Sequence, residues 1–291
     1  MLLLLALTGA FTSCSLFSPP AIVPCYGHID SIPLIITNPN QGTAANGINC
    51  TWVYVDDNPV GAFQLPCTFP MIATTGPHKI IIFAGVENSG EAENRLKYPF
   101  YTAYTLNNTT LTQGATVKFK PTVEYAAWAK PYIIEDFNGF QISGIVKDTT
   151  GGITKSADTN MVIVTTPKAD VYQGSGSGYV AVNAAHPVCQ YITKDTFNIP
   201  GNGQATFLEI NYKTNILFTV GVYNEATNSD IAVVYIDTSS TWKKMYINLQ
   251  PTFATYPSPP YGSYKIYFNV TLDNTVTTGQ TYLDNIKLIR Y

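Results

Sequence analysis

The sequence predicts an all-β protein built as two β-sandwich domains, and three observations carry that prediction. Short runs rich in β-branched and aromatic residues recur along the chain, with Gly, Pro, Asn or Asp between them. Almost no stretch carries the period expected of a helix. Charged residues are only 12% of the chain, while it holds 20 Tyr and 14 Phe, a balance that suits half-buried strands better than charged helix faces. A length of 291 residues accommodates two domains of ordinary size. The break between them falls in "YAAWAKP", Tyr125 to Pro131, which gives one domain over 25–128 and a second over 129–291.

The first element is not a strand. "MLLLLALTGAF" is apolar but too short to span a bilayer, which needs about 20 such residues. It has the length of a secretory signal core, so residues 1–13 read as a signal peptide and 14–24 as a linker. The run Thr12-Ser13-Cys14 that follows resembles the lipobox of bacterial lipoproteins, although no Lys or Arg precedes the apolar stretch. That resemblance implies cleavage before Cys14, acyl chains such as palmitate on its thiol and amine, and an outer-membrane lipid anchor.

In the first domain the strand candidates are "TWVYVD", "KIIIFA", "PFYTAYT" and "TVKFKP". Asp56-Asp57-Asn58 forms a tight turn after the first of them, Val60-Gly61 follows, Pro66 leads to a second turn, and Gly76-Pro77-His78 opens the next strand. This pattern over residues 50–88 resembles the PEGA domain, a small β-sandwich of cell-envelope proteins, with Asn58 where that family usually has Gly. The resemblance implies an interaction module without chemistry, and His78 then reads as a turn residue rather than a catalyst.

The second domain offers "MVIVTT", "YVAVN", "TFLEIN", "ILFTVGV", "IAVVYI", "WKKMYINL", "YKIYFNVT" and "YLDNIKLI". It opens on Glu135-Asp136-Phe137, carries Ser177-Gly178-Tyr179 early, and closes on Leu283-Asp284-Asn285-Ile286. That order resembles the jelly rolls of carbohydrate-binding modules and galactose-binding-like domains. Strict alternation along the last strand places Tyr282, Asp284, Ile286 and Leu288 inward, which would bury a carboxylate. The resemblance implies a structural calcium held by Glu135, Asp136 and Asp284. Capping of backbone amides by the same acids is the other reading.

Alternation also separates two faces on "WKKMYINL" and "YKIYFNVT". Met245, Ile247, Leu249, Tyr264, Ile266, Phe268 and Val270 point to the core. Trp242, Lys244, Tyr246 and Asn248 face outward on the first strand, and Lys265, Tyr267 and Asn269 on the second. If the two strands pair, rings, amides and ammonium groups share one outer face. Such a mixture suits sugars or a protein partner.

Composition excludes some functions. A net charge of −3 argues against nucleic acid. Three histidines and no C-x-x-C pair argue against zinc. Cys25, Cys50, Cys67 and Cys189 allow three disulfide pairings, and the sequence does not choose among them. "QGSGSGY" fits neither a nucleophile elbow nor a dinucleotide fingerprint. The sequence therefore points to a non-catalytic outer-membrane lipoprotein that serves as a structural or partner-binding subunit of an envelope assembly. A glycan-binding lipoprotein using the second domain is the alternative.

Overall fold

A computed structural model describes residues 23–148, 160–199, 202–256 and 262–291, so Cys14 and the signal-like run lie outside the described residues. The protein is all-β, as the short β-branched runs require. Among the described residues no helix is long and apolar enough to cross a membrane.

The first ten strands are β1 (Cys25–Ile29), β2 (Leu34–Ile35), β3 (Cys50–Val55), β4 (Asn58–Gln64), β5 (Cys67–Met71), β6 (Gly76–Asn88), β7 (Glu91–Lys97), β8 (Tyr104–Leu111), β9 (Thr116–Phe119) and β10 (Val123–Glu124). β6 is the spine of one layer: β3 and then β4 lie on one edge, while β8 and β7 pair with it end to end on the other. The facing layer is β5-β1-β9 with the short pair β2-β10. The β3–β4 hairpin turns on Asp56 (φ 50) and Asp57 (φ 64), the two left-handed residues that let a two-residue turn follow the twist of its strands.

The remaining strands are β11 (Lys130–Glu135), β12 (Ile145–Lys147), β13 (Val162–Val164), β14 (Ser177–Asn183), β15 (Val188–Thr193), β16 (Phe197–Ile199), β17 (Thr206–Thr214), β18 (Phe218–Asn224), β19 (Ser229–Ile236), β20 (Ser239–Asn248), β21 (Gly262–Thr271) and β22 (Thr278–Arg290), with one turn and a half of helix, α1 (Gln250–Thr255), after β20. They form a second sandwich. Its near sheet runs β13-β14-β22-β17-β20, with β11 beside the end of β22, and its far sheet runs β12-β15-β21-β18-β19, with β16 on β21. Met245, Ile247 and Leu249 from the near sheet meet Tyr264, Ile266, Phe268 and Val270 from the far sheet in one core, the inward set that alternation gives.

The near sheet is called near because the first sandwich lies on its outer surface. Phe207, Tyr246 and Ile289 point away from the second core and complete the first one, against Tyr98, Phe100, Tyr101 and Tyr125. Of these, Tyr98, Phe100 and Tyr101 come from the segment around "PFYTAYT". That segment makes a strand only from Tyr104 onward, and its first half is a buried aromatic turn. Among the described residues a single parallel bridge, Tyr246 to Asn88, links the sheets of the two sandwiches.

One irregularity changes the sidedness of β22. Glu209 pairs with Lys287, but Asn211 pairs with Asp284, so β22 carries one residue more than β17 between those points. The surplus is absorbed at Asn285, whose φ is 48. Leu283, Ile286 and Leu288 all reach the core, whereas Tyr282 is only half-buried on the outer surface. Strict alternation had put Tyr282 and Asp284 inside and Leu283 outside; the bulge reverses that half of the strand.

Among the described residues the four cysteines form no disulfide. Burial pushes the Cys50 thiol up to about 11 and the Cys189 thiol to about 12, so neither is a poised nucleophile.

Candidate functional site

The seven residues assigned to one outer face do not meet. β20 belongs to the near sheet and β21 to the far sheet, so the two strands lie on opposite sides of the core. Trp242, Lys244, Tyr246 and Asn248 are therefore separated from Lys265, Tyr267 and Asn269 by the thickness of the sandwich.

On the near sheet the middle of the outer surface is sealed. Lys244 holds Glu209 at 3.0 Å, and both side chains are essentially inaccessible. Lys287 approaches the same carboxylate at 3.9 Å and donates to the Tyr125 hydroxyl at 3.0 Å. Tyr98 and Tyr125 donate to Glu209 at 2.8 and 3.1 Å. The Tyr246 hydroxyl accepts from the Gly47 amide at 2.9 Å and meets Tyr101 at 3.1 Å. Burial pushes the Glu209 carboxyl up, but the two lysines outweigh it and hold it below the ordinary range. Burial lowers Lys287 to about 8. Asn248 accepts from the Gln250 amide at the start of α1. Lys244, Tyr246 and Asn248 are thus parts of a seam between the sandwiches.

Glu135, Asp136 and Asp284 do not assemble an oxygen shell. Glu135 accepts from the amides of Asp136, Phe137, Ser143 and Gly144 at 2.6 to 3.1 Å, which occupies both its oxygens. Asp136 accepts from the Asn138 amide. Asp284 takes the Ser177 hydroxyl at 2.7 Å and the amides of Asn285 and Gln173. Burial raises it to about 6. Among the described residues no three His, Cys, Asp or Glu side chains gather as a metal site would require. The donor set fits loop capping.

His78 lines a groove of about 570 Å³ beside the β3–β4 turn, with Val60, Pro70 and Ile72. Its Nδ1 faces Asp56 at 2.6 Å and its Nε2 faces the Thr74 carbonyl at 2.8 Å. The Asp56 bond, then the carbonyl, raise its pKa. Both ring nitrogens are thus tied to oxygens of the protein, which leaves neither turned to a substrate for general-base work.

The outer surface of the far sheet carries the other three assigned residues, Lys265 and Asn269 half-buried and Tyr267 buried. The Tyr267 ring lies flat over Gly221, where an added Cβ would come within 2.3 Å of the ring. It packs with Ile192 and Tyr223. Asn269 donates to the Gln190 carbonyl oxygen at 2.9 Å. The Gln190 amide nitrogen in turn donates to Asp148 at 2.9 Å and Asp230 at 3.2 Å. The second oxygen of Asp230 is buried and has no partner among the described residues. Burial first, then Asp230 and Tyr235, push the Tyr267 phenol up. Lys265 pairs with Glu225 at 3.7 Å at one side, where a cavity of about 390 Å³ is lined by Ile192, Tyr223, Glu225, Asn228 and Lys265 among others. Tyr235, 65% exposed, stands at the rim. Sequence reasoning missed Asp148, Gln190, Asp230 and Tyr235. The one signal available for them was a polar residue inside an apolar run, as in "VCQYIT".

No protein-family model matches the chain, and no curated protein does. Among solved structures the chain is similar to carbohydrate binding module family 29: one match is 10% identical, covers 55% of this chain and 88% of that one, and has a TM-score of 0.36. The enzymatically active domain of bacteriophage CBA120 tailspike protein 4 is 15% identical over 54% of this chain and 20% of that one, also at 0.36. Scores of this size carry no argument about ligands or activity, so any functional reading rests on this chain's own residues.

Proposed function

We propose that the protein is a non-catalytic glycan binder and that its far sheet is the binding surface. The observation that carries this is the far-sheet cavity at Lys265 and Glu225 with the exposed Tyr235 ring on the same sheet, beside a partly buried network Asn269–Gln190–Asp148/Asp230 that keeps one carboxylate oxygen without a partner among the described residues. Sugar hydroxyls are met by carboxylates and side-chain amides, while the apolar faces of sugar rings stack on aromatic side chains. Tyr235 supplies an exposed ring, Lys265, Glu225 and Asn228 supply polar partners at the cavity, and the partly buried network beside them fixes the sheet's side chains. A cavity of about 390 Å³ next to Lys265 and Glu225 leaves room for a short stretch of polysaccharide. A partner-binding subunit of an envelope assembly draws less support, because the near-sheet face once available for a partner is occupied by the first sandwich. The lipid anchor at Cys14 stays part of the proposal on the strength of its lipobox resemblance.

The test is a glycan array and affinity electrophoresis of the full chain in gels containing soluble polysaccharides. At least one polysaccharide should retard it, and Tyr235→Ala or Asp230→Ala should weaken that retention about tenfold or more, or ~1.4 kcal/mol. If no glycan is bound, or if both variants bind as the parent does, the far sheet is not a glycan surface.

A further inference from the structure

The part of the near sheet that the first sandwich leaves uncovered holds a second, smaller recess. It has a volume of about 190 Å³ and is lined by Asp170, Lys213, Thr214, Asn215, Ser239, Ser240, Gln280 and Tyr282. Every one of these side chains can form hydrogen bonds. Lys213 and Asp170 form an ion pair at 2.5 Å, so the lining carries no net charge. That cancellation disfavours phosphate and other anions, and equally disfavours cations.

The walls are held rigidly. Lys213 also donates to the Ala169 carbonyl at 2.9 Å and lies 4.4 Å over the Tyr282 ring. Trp242 donates to the same carbonyl at 3.3 Å, and its ring sits 6.3 Å from Tyr282 and 5.3 Å from Tyr172. Gln280 donates to the Tyr179 hydroxyl at 2.9 Å, and Tyr179 packs against Tyr282 at 4.8 Å. The Gln280 backbone amide is fixed by the Asn215 side chain at 2.6 Å. These bonds leave the Gln280 side-chain oxygen, the third Lys213 proton and the Ser240 hydroxyl without hydrogen-bond partners among the described residues. One acceptor, one donor and one group that is both thus face a neutral recess of single-ring size.

We propose that this recess is a separate site for one neutral pyranose unit, such as the terminal residue of a glycan. Its polar lining, zero net charge and small volume exclude an extended chain or an apolar ligand and match a compact polyol. It does not rest on the far-sheet reading, because it lies on the opposite side of the core and shares no residue with that surface. If both sites operate, the two faces engage different glycan chains.

The experiment is a ligand-observed NMR titration of the full chain with the methyl glycosides of glucose, galactose, mannose and N-acetylglucosamine. At least one should bind saturably, with a Kd on the order of 1 mM, as expected for so small a ligand. Ser240→Trp, at an exposed rim position, should weaken it about tenfold or more by filling the recess, and Gln280→Leu should do so by removing the acceptor without changing the shape. Tyr235→Ala, on the far sheet, should leave glycoside binding unchanged. Saturable binding lost in both rim variants and kept in Tyr235→Ala supports the site. No saturable binding by any of the four, or binding indifferent to both Ser240→Trp and Gln280→Leu, overturns it. Absence of polysaccharide retention by the parent chain, with glycoside binding intact, overturns only the far-sheet reading.

Discussion

Glu209 is the residue on which the seam between the sandwiches turns. It is fully buried with two lysines and two tyrosyl hydroxyls around one carboxylate. Replacing it by Gln would leave two buried ammonium groups without a counter-charge, and a loss of about 3–5 kcal/mol in urea unfolding is expected. Lys287 gives a pH signature of the opposite kind. Its pKa is about 8 in the fold, while a lysine in the unfolded chain titrates near 10.4. Between those values the unfolded chain binds more protons, so stability should rise as pH increases from about 8 toward 10. Above that range the trend reverses as unfolded tyrosines ionise, since burial pushes the folded Tyr98, Tyr101 and Tyr125 up. Lys287→Met should flatten the rise between 8 and 10, and a series of urea midpoints against pH would read it. Part of this was legible. Glu209 in "FLEIN" and Lys287 in "NIKLI" are lone charges inside apolar strands, which marks them as paired or functional. Lys244 was legible only as a residue outside its own core. A lysine facing solvent and one facing a buried acid produce the same alternation.

At the scale of the element, β22 shows what alternation can and cannot give. The rule placed Ile286 and Leu288 in the core correctly, then failed toward the N-terminal side of the bulge. A single left-handed residue shifts the count by one. Asn is among the few non-glycine residues that adopt that conformation readily, so "LDN" was the available signal. Asn285→Val should cost about 1–2 kcal/mol by forcing a β-branched side chain into it, while Asn285→Gly should be close to neutral. Urea midpoints of the two variants would decide this. If Val were tolerated as well as Gly, the bulge would not govern the strand. The β3–β4 turn was easier to read. Two consecutive Asp residues between β-branched runs have few other conformations that satisfy both their side chains and the twist of the strands.

For the whole molecule, the sequence divided the chain into two sandwiches but gave no sign that one would lie on the other. A surface that covers a neighbour and a surface that meets solvent differ only in how well each polar group is paired, and pairing is a property of distance. Tyr246 makes the point: an outward tyrosine by pattern, it is 2% exposed and touches Tyr98 at 4.9 Å between ring centres. Tyr246→Ala should therefore destabilise the full chain by about 3–5 kcal/mol and expose the connection between the sandwiches to protease, with no direct effect on glycan retention. Preserved melting and protease resistance would mean the seam is not held there. The anchor belongs to this scale as well. Cys14→Ala should shift the protein from the membrane fraction to the soluble or precursor fraction. Unchanged processing and fractionation would remove the lipid from the account.

The placement of the first sandwich has a mechanical corollary. The described chain starts in that sandwich, and the far sheet is on the other side of the second core. A tether at the N-terminal end and a polysaccharide held by the far sheet would thus pull from opposite ends of the molecule. The tension between them would cross the layer of Tyr98, Tyr125, Lys244, Lys287 and Glu209, where among the described residues one backbone bridge joins the sheets. Pulling the two halves apart would strip Phe207, Tyr246 and Ile289 out of the first core as well as break the charged and phenolic contacts, so the junction resists such a load with apolar burial and ion pairing together.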